Sequence, residues 1–183
     1  MELSSSKCYI DIENTSVKNV YNIIATHFDN TRHYKWKWIT DFIDKLEDNS
    51  LIYDIGCGNG RNMEYSKCRF KGIDNCENFV SICQKKGLDV QQGDMTNLPF
   101  EDNSADHIIN IAAFHHLSTH NRRFKALQEF KRVLKPGGKI LLSIWSKIQP
   151  EKTKRRFEKY GDNYVPWKEP NSKSNIDCSE IQM

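Results

Sequence analysis

The 183 residues predict one α/β domain, a mainly parallel twisted sheet with helices on both faces. Three features point there. Five short apolar runs recur in the manner of strands buried on both faces, helical-period segments separate them, and a glycine-rich turn, Gly56-Cys57-Gly58-Asn59-Gly60, follows the first run directly. A chain of this length can bury one such core but not two.

Taken in order, residues 1–15 lack a period and read as a loose leader to a domain over 16–168. Val20, Ile23, Ile24 and Phe28 predict a helix over 16–28, with Asn14, Thr15 and Ser16 available as caps. Trp36, Ile39, Phe42, Ile43 and Leu46 predict a second, ended by the polar Glu47-Asp48-Asn49-Ser50, and Trp36 reads as core packing. Strands are predicted at Leu51–Ile55, Phe70–Ile73, Asp89–Gln92, His107–Ile111 and Lys139–Trp145. Intervening helices are predicted at Asn59–Tyr65, Asn78–Lys86 and Arg122–Leu134, the last stopped by Lys135-Pro136-Gly137-Gly138. Residues 169–183 form a polar tail without a strand pattern.

Composition narrows the function classes. No run approaches the roughly 20 apolar residues of a membrane span, and the first residues lack the basic-then-apolar order of a secretory signal, so a cytoplasmic or nuclear protein without membrane contact is expected. Six cysteines form no C-x-x-C pair and no zinc-like spacing; they read as reduced thiols, with no metal site. Charge is uneven: from Arg122 to Lys159 there are 13 basic and 3 acidic side chains. Such a stretch suits a polyanion, and equally a solvated helix face with an exposed tail.

The glycine turn reads as a cradle for a nucleotide or a carboxylate, because bare backbone can approach a ligand closely and a following helix would offer free N–H groups. A dinucleotide fingerprint would require glycine where Arg61 stands, so that spacing disfavours a nicotinamide dinucleotide. Asp74 ends the second predicted strand, where a carboxylate can accept from two ribose hydroxyls; Asp94, after the third, can accept from an adenine amine.

The series Asp54-Ile55-Gly56-Cys57-Gly58-Asn59-Gly60, Gly72-Ile73-Asp74, Gly93-Asp94-Met95, Leu98-Pro99-Phe100, Ala105-Asp106-His107 and Leu134-Lys135-Pro136-Gly137-Gly138 resembles the class I S-adenosylmethionine-dependent methyltransferases over residues 51–145. That resemblance implies a Rossmann-like fold and S-adenosyl-L-methionine as cofactor. By it, Asp54, Gly56, Cys57, Gly58, Asn59 and Gly60 hold the methionine moiety, Asp74 and Asn75 the ribose, Asp94 and Met95 the adenine, with Ile111 beside the substrate pocket.

A narrower resemblance rests on His27-Phe28-Asp29-Asn30-Thr31-Arg32-His33 with Trp36, on Phe114-His115-His116-Leu117-Ser118-Thr119 with Arg122-Arg123, and on Trp145 and Val165-Pro166-Trp167. These look like the eukaryotic tRNA methyltransferases that esterify 5-carboxymethyluridine at the wobble position, including the methyltransferase half of the AlkB-homologue tRNA fusion. The resemblance implies the tRNA anticodon loop as substrate and a small zinc-binding activator protein as partner. Arg32, His33, His115, His116 and Arg122 are the candidates for placing the substrate, the run Lys147–Lys159 for a phosphate-contacting arm, and Trp145 and Trp167 for either packing or base stacking.

The family continues past Val-Pro-Trp into further strands, whereas here only a short polar segment remains, so an exposed fifth strand is expected. Two other readings stand beside the first. One is a small-molecule methyltransferase acting on a carboxylate, quinone or sterol-like acceptor; the other is a shortened paralogue that binds without catalysis.

Overall fold

A computed structural model describes residues 11–149, 151, 157, 161, 163–165, 167 and 181–182. Its apolar runs become strands β1 (Leu51–Ile55), β2 (Arg69–Asp74), β3 (Val90–Gln92), β4 (Ala105–Ile111) and β5 (Leu134–Ser143). They pair in the order β3-β2-β1-β4-β5, every pair parallel. This order places a crossover on each side of β1, so the carboxyl ends of β1, β2 and β4 meet at one point of the sheet edge, where ligands bind in open α/β folds.

Strand alternation sorts the core into two layers. Tyr53, Ile55, Ile73 and Ile108 face helix α4 (His120–Val133), which contributes Ala126, Phe130 and Val133. Ile52, Ile109 and Ile111 face the other way, against Ile39 and Ile43 of helix α2 (Lys37–Ile43). Helix α3 (Glu77–Lys85) covers Val90 through Val80 and Cys83, and helix α1 (Asn19–Thr31) packs on α3 through Ala25, Cys76 and Phe79. A π-helical turn, Asn14–Lys18, leads into α1. The Rossmann-like α/β class expected from the sequence is the one observed.

Four expectations need correction. Residues 59–65 form no helix: Gly56, Gly58 and Gly60 have φ of 78°, 55° and 76°, a left-handed backbone that cannot continue helically, and the segment closes as tight turns from Gly60 N–H to Cys57 O and from Met63 N–H to Gly60 O. The Lys135-Pro136-Gly137-Gly138 segment does follow the end of α4, but it lies inside β5 as an irregularity between the Ala105 and His107 registers, with Gly137 at φ 81°. The leader is not wholly loose, since Glu13 is docked against Ser118 and Arg122. The tail contains a strand, β7 (Ile181–Gln182), paired antiparallel with β6 (Tyr164–Val165). β5 ends the five-stranded sheet, as expected. Most of the Lys147–Lys159 arm, including Lys152, Lys154, Arg155 and Arg156, lies outside the described residues.

Phe130 has no exposed surface and joins α4 to the sheet. Phe130→Ala should lower stability by about 3–5 kcal/mol, read as a fall in the urea midpoint; a loss under about 1 kcal/mol would show that α4 is not a keystone of this layer.

Candidate functional site

The ends of β1, β2 and β4 open into a cleft of about 200 Å³, roofed by α1. Its floor is the glycine loop. Gly56 N–H and Cys57 N–H both donate to Ile73 O, and a Cβ on Gly56 would lie 2.4 Å from the Cβ of Ala113, so only glycine fits where the β1 and β4 loops touch. A Cβ on Gly58, by contrast, would meet nothing within 4 Å, because that residue faces the open cleft.

Asp74 fixes this floor. It is half-buried at the end of β2, where its Oδ2 accepts from Gly58 N–H at 2.8 Å and its Oδ1 from Cys76 N–H at 2.9 Å. Burial raises its pKa, and the backbone donors of Cys76, Gly58 and Asn75 oppose the rise. Each oxygen keeps a second lone pair for a ligand hydroxyl. Asp54 lies behind the loop, fully buried, and neither of its oxygens has a hydrogen-bond partner. Burial first, and then the nearby Asp74 charge, push its pKa up to about 8, against the opposing field of Arg61. An orphaned carboxylate beside a ligand cradle fits a cationic amine or an ordered water as its missing partner.

The β4 side is held by a buried amide. Asn110 donates from Nδ2 to Ile55 O at 2.7 Å and accepts at Oδ1 from Phe114 N–H at 3.1 Å, tying the end of β1 to the turn after β4. In that turn Ala112, on the cleft wall, holds φ at 53°, a conformation rare for non-glycine residues.

The sequence candidates separate clearly. Arg32, His116, Arg122, Gly56, Cys57, Gly58, Asn59, Asp74, Asn75, Asp94, Met95 and Ile111 all line the cleft. His33, His115, Asp54 and Gly60 do not. His33 lies outside because it follows the end of α1, and its Nε2 pairs with Asn30 O. His115 turns inward: both ring nitrogens are buried without a hydrogen-bond partner, and burial together with His116 pushes its pKa down to about 3. It is therefore neutral at physiological pH. Gly60 packs beneath the loop, where a Cβ would lie 2.4 Å from Leu88.

Arg122 requires a different reading from the one its sequence position suggested. Its Nε bonds both Glu13 carboxylate oxygens at 2.9 Å, and its Nη2 bonds Asp94 Oδ2 at 2.8 Å. Burial disfavours the guanidinium charge, but the two carboxylates outweigh it and raise the pKa. With two acids on one guanidinium, little positive field is left for a substrate; Arg122 braces α4 to the loop after β3. Asp94 is engaged correspondingly, with Oδ1 accepting from Thr96 N–H.

Arg32 is a cleft cation with free donors. Its Nη1 bonds only Thr31 among the described residues, and its guanidinium lies 5.7 Å from the ring centre of Phe28 and 5.2 Å from that of Trp167. Trp167 stacks on Phe28, donates from Nε1 to His27 Nδ1 at 2.9 Å, and lines the cleft. His116 also lines the cleft, with its Nε2 3.1 Å from the Tyr21 hydroxyl. The roof is locked to the floor by Asp29, which accepts from Asn59 Nδ2 at 2.9 Å and from Lys86 at 2.5 Å.

Several contributors were missed in the sequence: Glu13, Tyr21, Asn110 and Arg61. Asn110 carried a signal, a lone amide inside an apolar strand. In the sequence Arg61 stands out only as an interruption of glycine spacing, and Glu13 and Tyr21 carry no local signal. Among the described residues no group of three or more His, Cys, Asp and Glu could hold a metal ion, and no helix is long and apolar enough to cross a membrane.

The Methyltransferase domain family model matches residues 53–142. The tRNA (carboxymethyluridine(34)-5-O)-methyltransferase of Schizosaccharomyces pombe is 38% identical over 161 residues, which are 86% of this chain and 70% of that protein. The chain belongs to this methyltransferase family. The protein of the same name from Arabidopsis thaliana is 43% identical over 150 residues, 81% of this chain and 37% of its own length. The mouse relative ALKBH8 is 39% identical over 152 residues, 82% of this chain and 23% of its length. The chain thus spans little more than a third, and less than a quarter, of these two family members. Solved structures agree on the fold. A SAM-dependent methyltransferase of Aquifex aeolicus superposes with TM-score 0.60 and 24% identity, covering 76% of this chain and 81% of that one. A methyltransferase solved in complex with the Trm112 methyltransferase activator of Haloferax volcanii also gives 0.60 at 24% identity, covering 70% and 60%.

The Asp54 carboxyl provides a pH test. It keeps its proton up to about pH 8 in the folded chain but loses it near the ordinary aspartate value of 3.8 when unfolded. The folded state therefore binds more protons between those values, and this group's contribution to stability falls as pH rises from about 4 to about 8. Asp54→Asn removes that slope, so its melting temperature relative to the parent should rise between pH 5 and pH 8; parallel melting curves would show that Asp54 is ionised throughout.

Proposed function

We propose that this chain uses S-adenosylmethionine to methylate the side-chain carboxylate of 5-carboxymethyluridine at the wobble position of a tRNA anticodon. The observation that carries the reading is one cleft whose lining joins two kinds of group. It includes the glycine loop and the half-buried Asp74, and with them a cation with free donors, Arg32, and His116. Kinship with the fission-yeast enzyme over most of its length supports the same substrate.

When bound, S-adenosylmethionine supplies a methyl group made electrophilic by its sulfonium. Asp74 would hold the ribose hydroxyls with its remaining lone pairs, Gly58 would let the ligand lie against bare backbone, and Asp54 would accept from the amino group directly or through water. The substrate carboxylate, with a pKa near 4, is ionised at neutral pH and needs no general base. A neutral, buried His115 suits that chemistry, since no proton has to move. Arg32 would hold the carboxylate in place by charge-assisted hydrogen bonds, and His116, oriented by Tyr21, would position the base. Arg61 adds positive field near Arg32, as their mutual repulsion indicates. A small activator protein as partner, and residence in the cytoplasm and nucleus, belong to this same proposal.

Incubation with labelled S-adenosylmethionine and tRNA bearing carboxymethyluridine, with and without an activator protein, should give a base-labile methyl ester. Arg32→Ala should lower transfer about 10-fold or more while cofactor affinity stays within about 2-fold. Label on small lipophilic acids but not on tRNA would replace this reading with a small-molecule methyltransferase; cofactor binding without transfer to either would favour a non-catalytic paralogue.

A further inference from the structure

We infer that the stacked pair Trp36 and Trp38, with Arg61 across Trp36, forms a ledge on which an unpaired nucleobase stacks, next to the one that enters the cleft. The inference rests on the tRNA reading above and adds to it a second contact point for the RNA.

The sequence predicted Trp36 in the core, and the structure places it outside. Trp36 is 39% exposed and Trp38 42%, while the same helix buries Ile39 and Ile43 completely. Residues two apart on a helix do not normally face each other. Here they do, because Trp36 is the extended cap residue of α2, with φ −82° and ψ 130°, and Trp38 lies in its first turn. The rings lie 5.7 Å apart and within 15° of parallel. The segment just before them adds Tyr34, 87% exposed. Large aromatic surface left in water at this density is unusual for a side chain with only a packing role.

Two further observations select the occupant. First, the ledge continues the cleft: Trp36 and Arg61 line it, whereas Trp38 does not, so the pair leads from the cleft outward. A base drawn from a single-stranded loop into that cleft leaves its neighbour at the rim, and exposed rings receive such neighbours by stacking. Second, the ledge is cationic. The Arg61 guanidinium lies 4.1 Å from the Trp36 ring centre, and the field of Arg32 reaches Arg61. Cations beside stacked rings suit a phosphate-linked base. An apolar protein segment would gain little from that charge.

The test measures binding of the full chain to an anticodon stem-loop RNA carrying carboxymethyluridine, and to the same RNA with abasic sites on either side of it. Trp38→Ala should weaken binding to the intact RNA on the order of 10-fold, and Trp38→Phe should restore most of the affinity. The effect should vanish on the abasic RNA. S-adenosylmethionine affinity by calorimetry and melting temperature should be unchanged in both variants, which separates stacking from folding. Unchanged affinity of Trp38→Ala for the intact RNA would overturn the proposal and assign the ledge to a protein partner, and an equal loss on intact and abasic RNA would also overturn it. If the parent chain binds cofactor but no anticodon RNA, the tRNA reading itself falls and takes the ledge with it.

Discussion

The carboxylate of Asp74 organises this molecule's site. It is half-buried at the end of β2, where an unpaired charge would be costly, and it meets that cost by taking N–H groups from Gly58 and Cys76. One side chain thereby fixes the glycine loop, the start of α3 and the edge of the cleft. The left-handed glycines make this possible, since the turn they form directs Gly58 N–H towards Asp74 in place of a helical ladder. Asp54 follows as the second half of the same arrangement: a neighbouring acid that its own burial, and then the charge of Asp74, keeps from ionising easily.

Around this floor the remaining walls are tied by polar contacts between segments distant in sequence. Asn110 links the β1 and β4 loops; Asp29 ties α1 to Asn59 and Lys86; Arg122 bridges Glu13 and Asp94. Each of these side chains satisfies groups on another element, which gives the cleft a defined shape before a ligand enters. The aromatic layer of Tyr21, Phe28, Phe79 and Trp167 then closes the roof, with Arg32 beside it as a cation with donors to spare. A family fold thus acquires a local character from a few α1 and linker residues, in keeping with function residing in sites grafted on folds.

Arg122 and Trp36 show how tertiary context reassigns a residue. Arginine after the fourth strand suggested a substrate clamp, yet Glu13, a hundred positions away in sequence, uses up its charge. Tryptophan at helical spacing suggested core, yet its cap position turns it out to Trp38 and Arg61. Neither pairing leaves a periodic trace.

By itself the sequence determined the sheet, the position of the glycine turn and the acids at 74 and 94, because apolar period, glycine placement and strand-end acids are local quantities that one stretch of chain expresses unaided. It also carried the family resemblance, since short motifs in a fixed order need no coordinates. Tertiary structure alone decided which side chains keep a free charge, which histidine faces the cleft, and that residues 59–65 turn tightly instead of winding into a helix. Those outcomes depend on partners brought together only by folding: Glu13 for Arg122, Tyr21 for His116, and Asp74 for the backbone of Gly58.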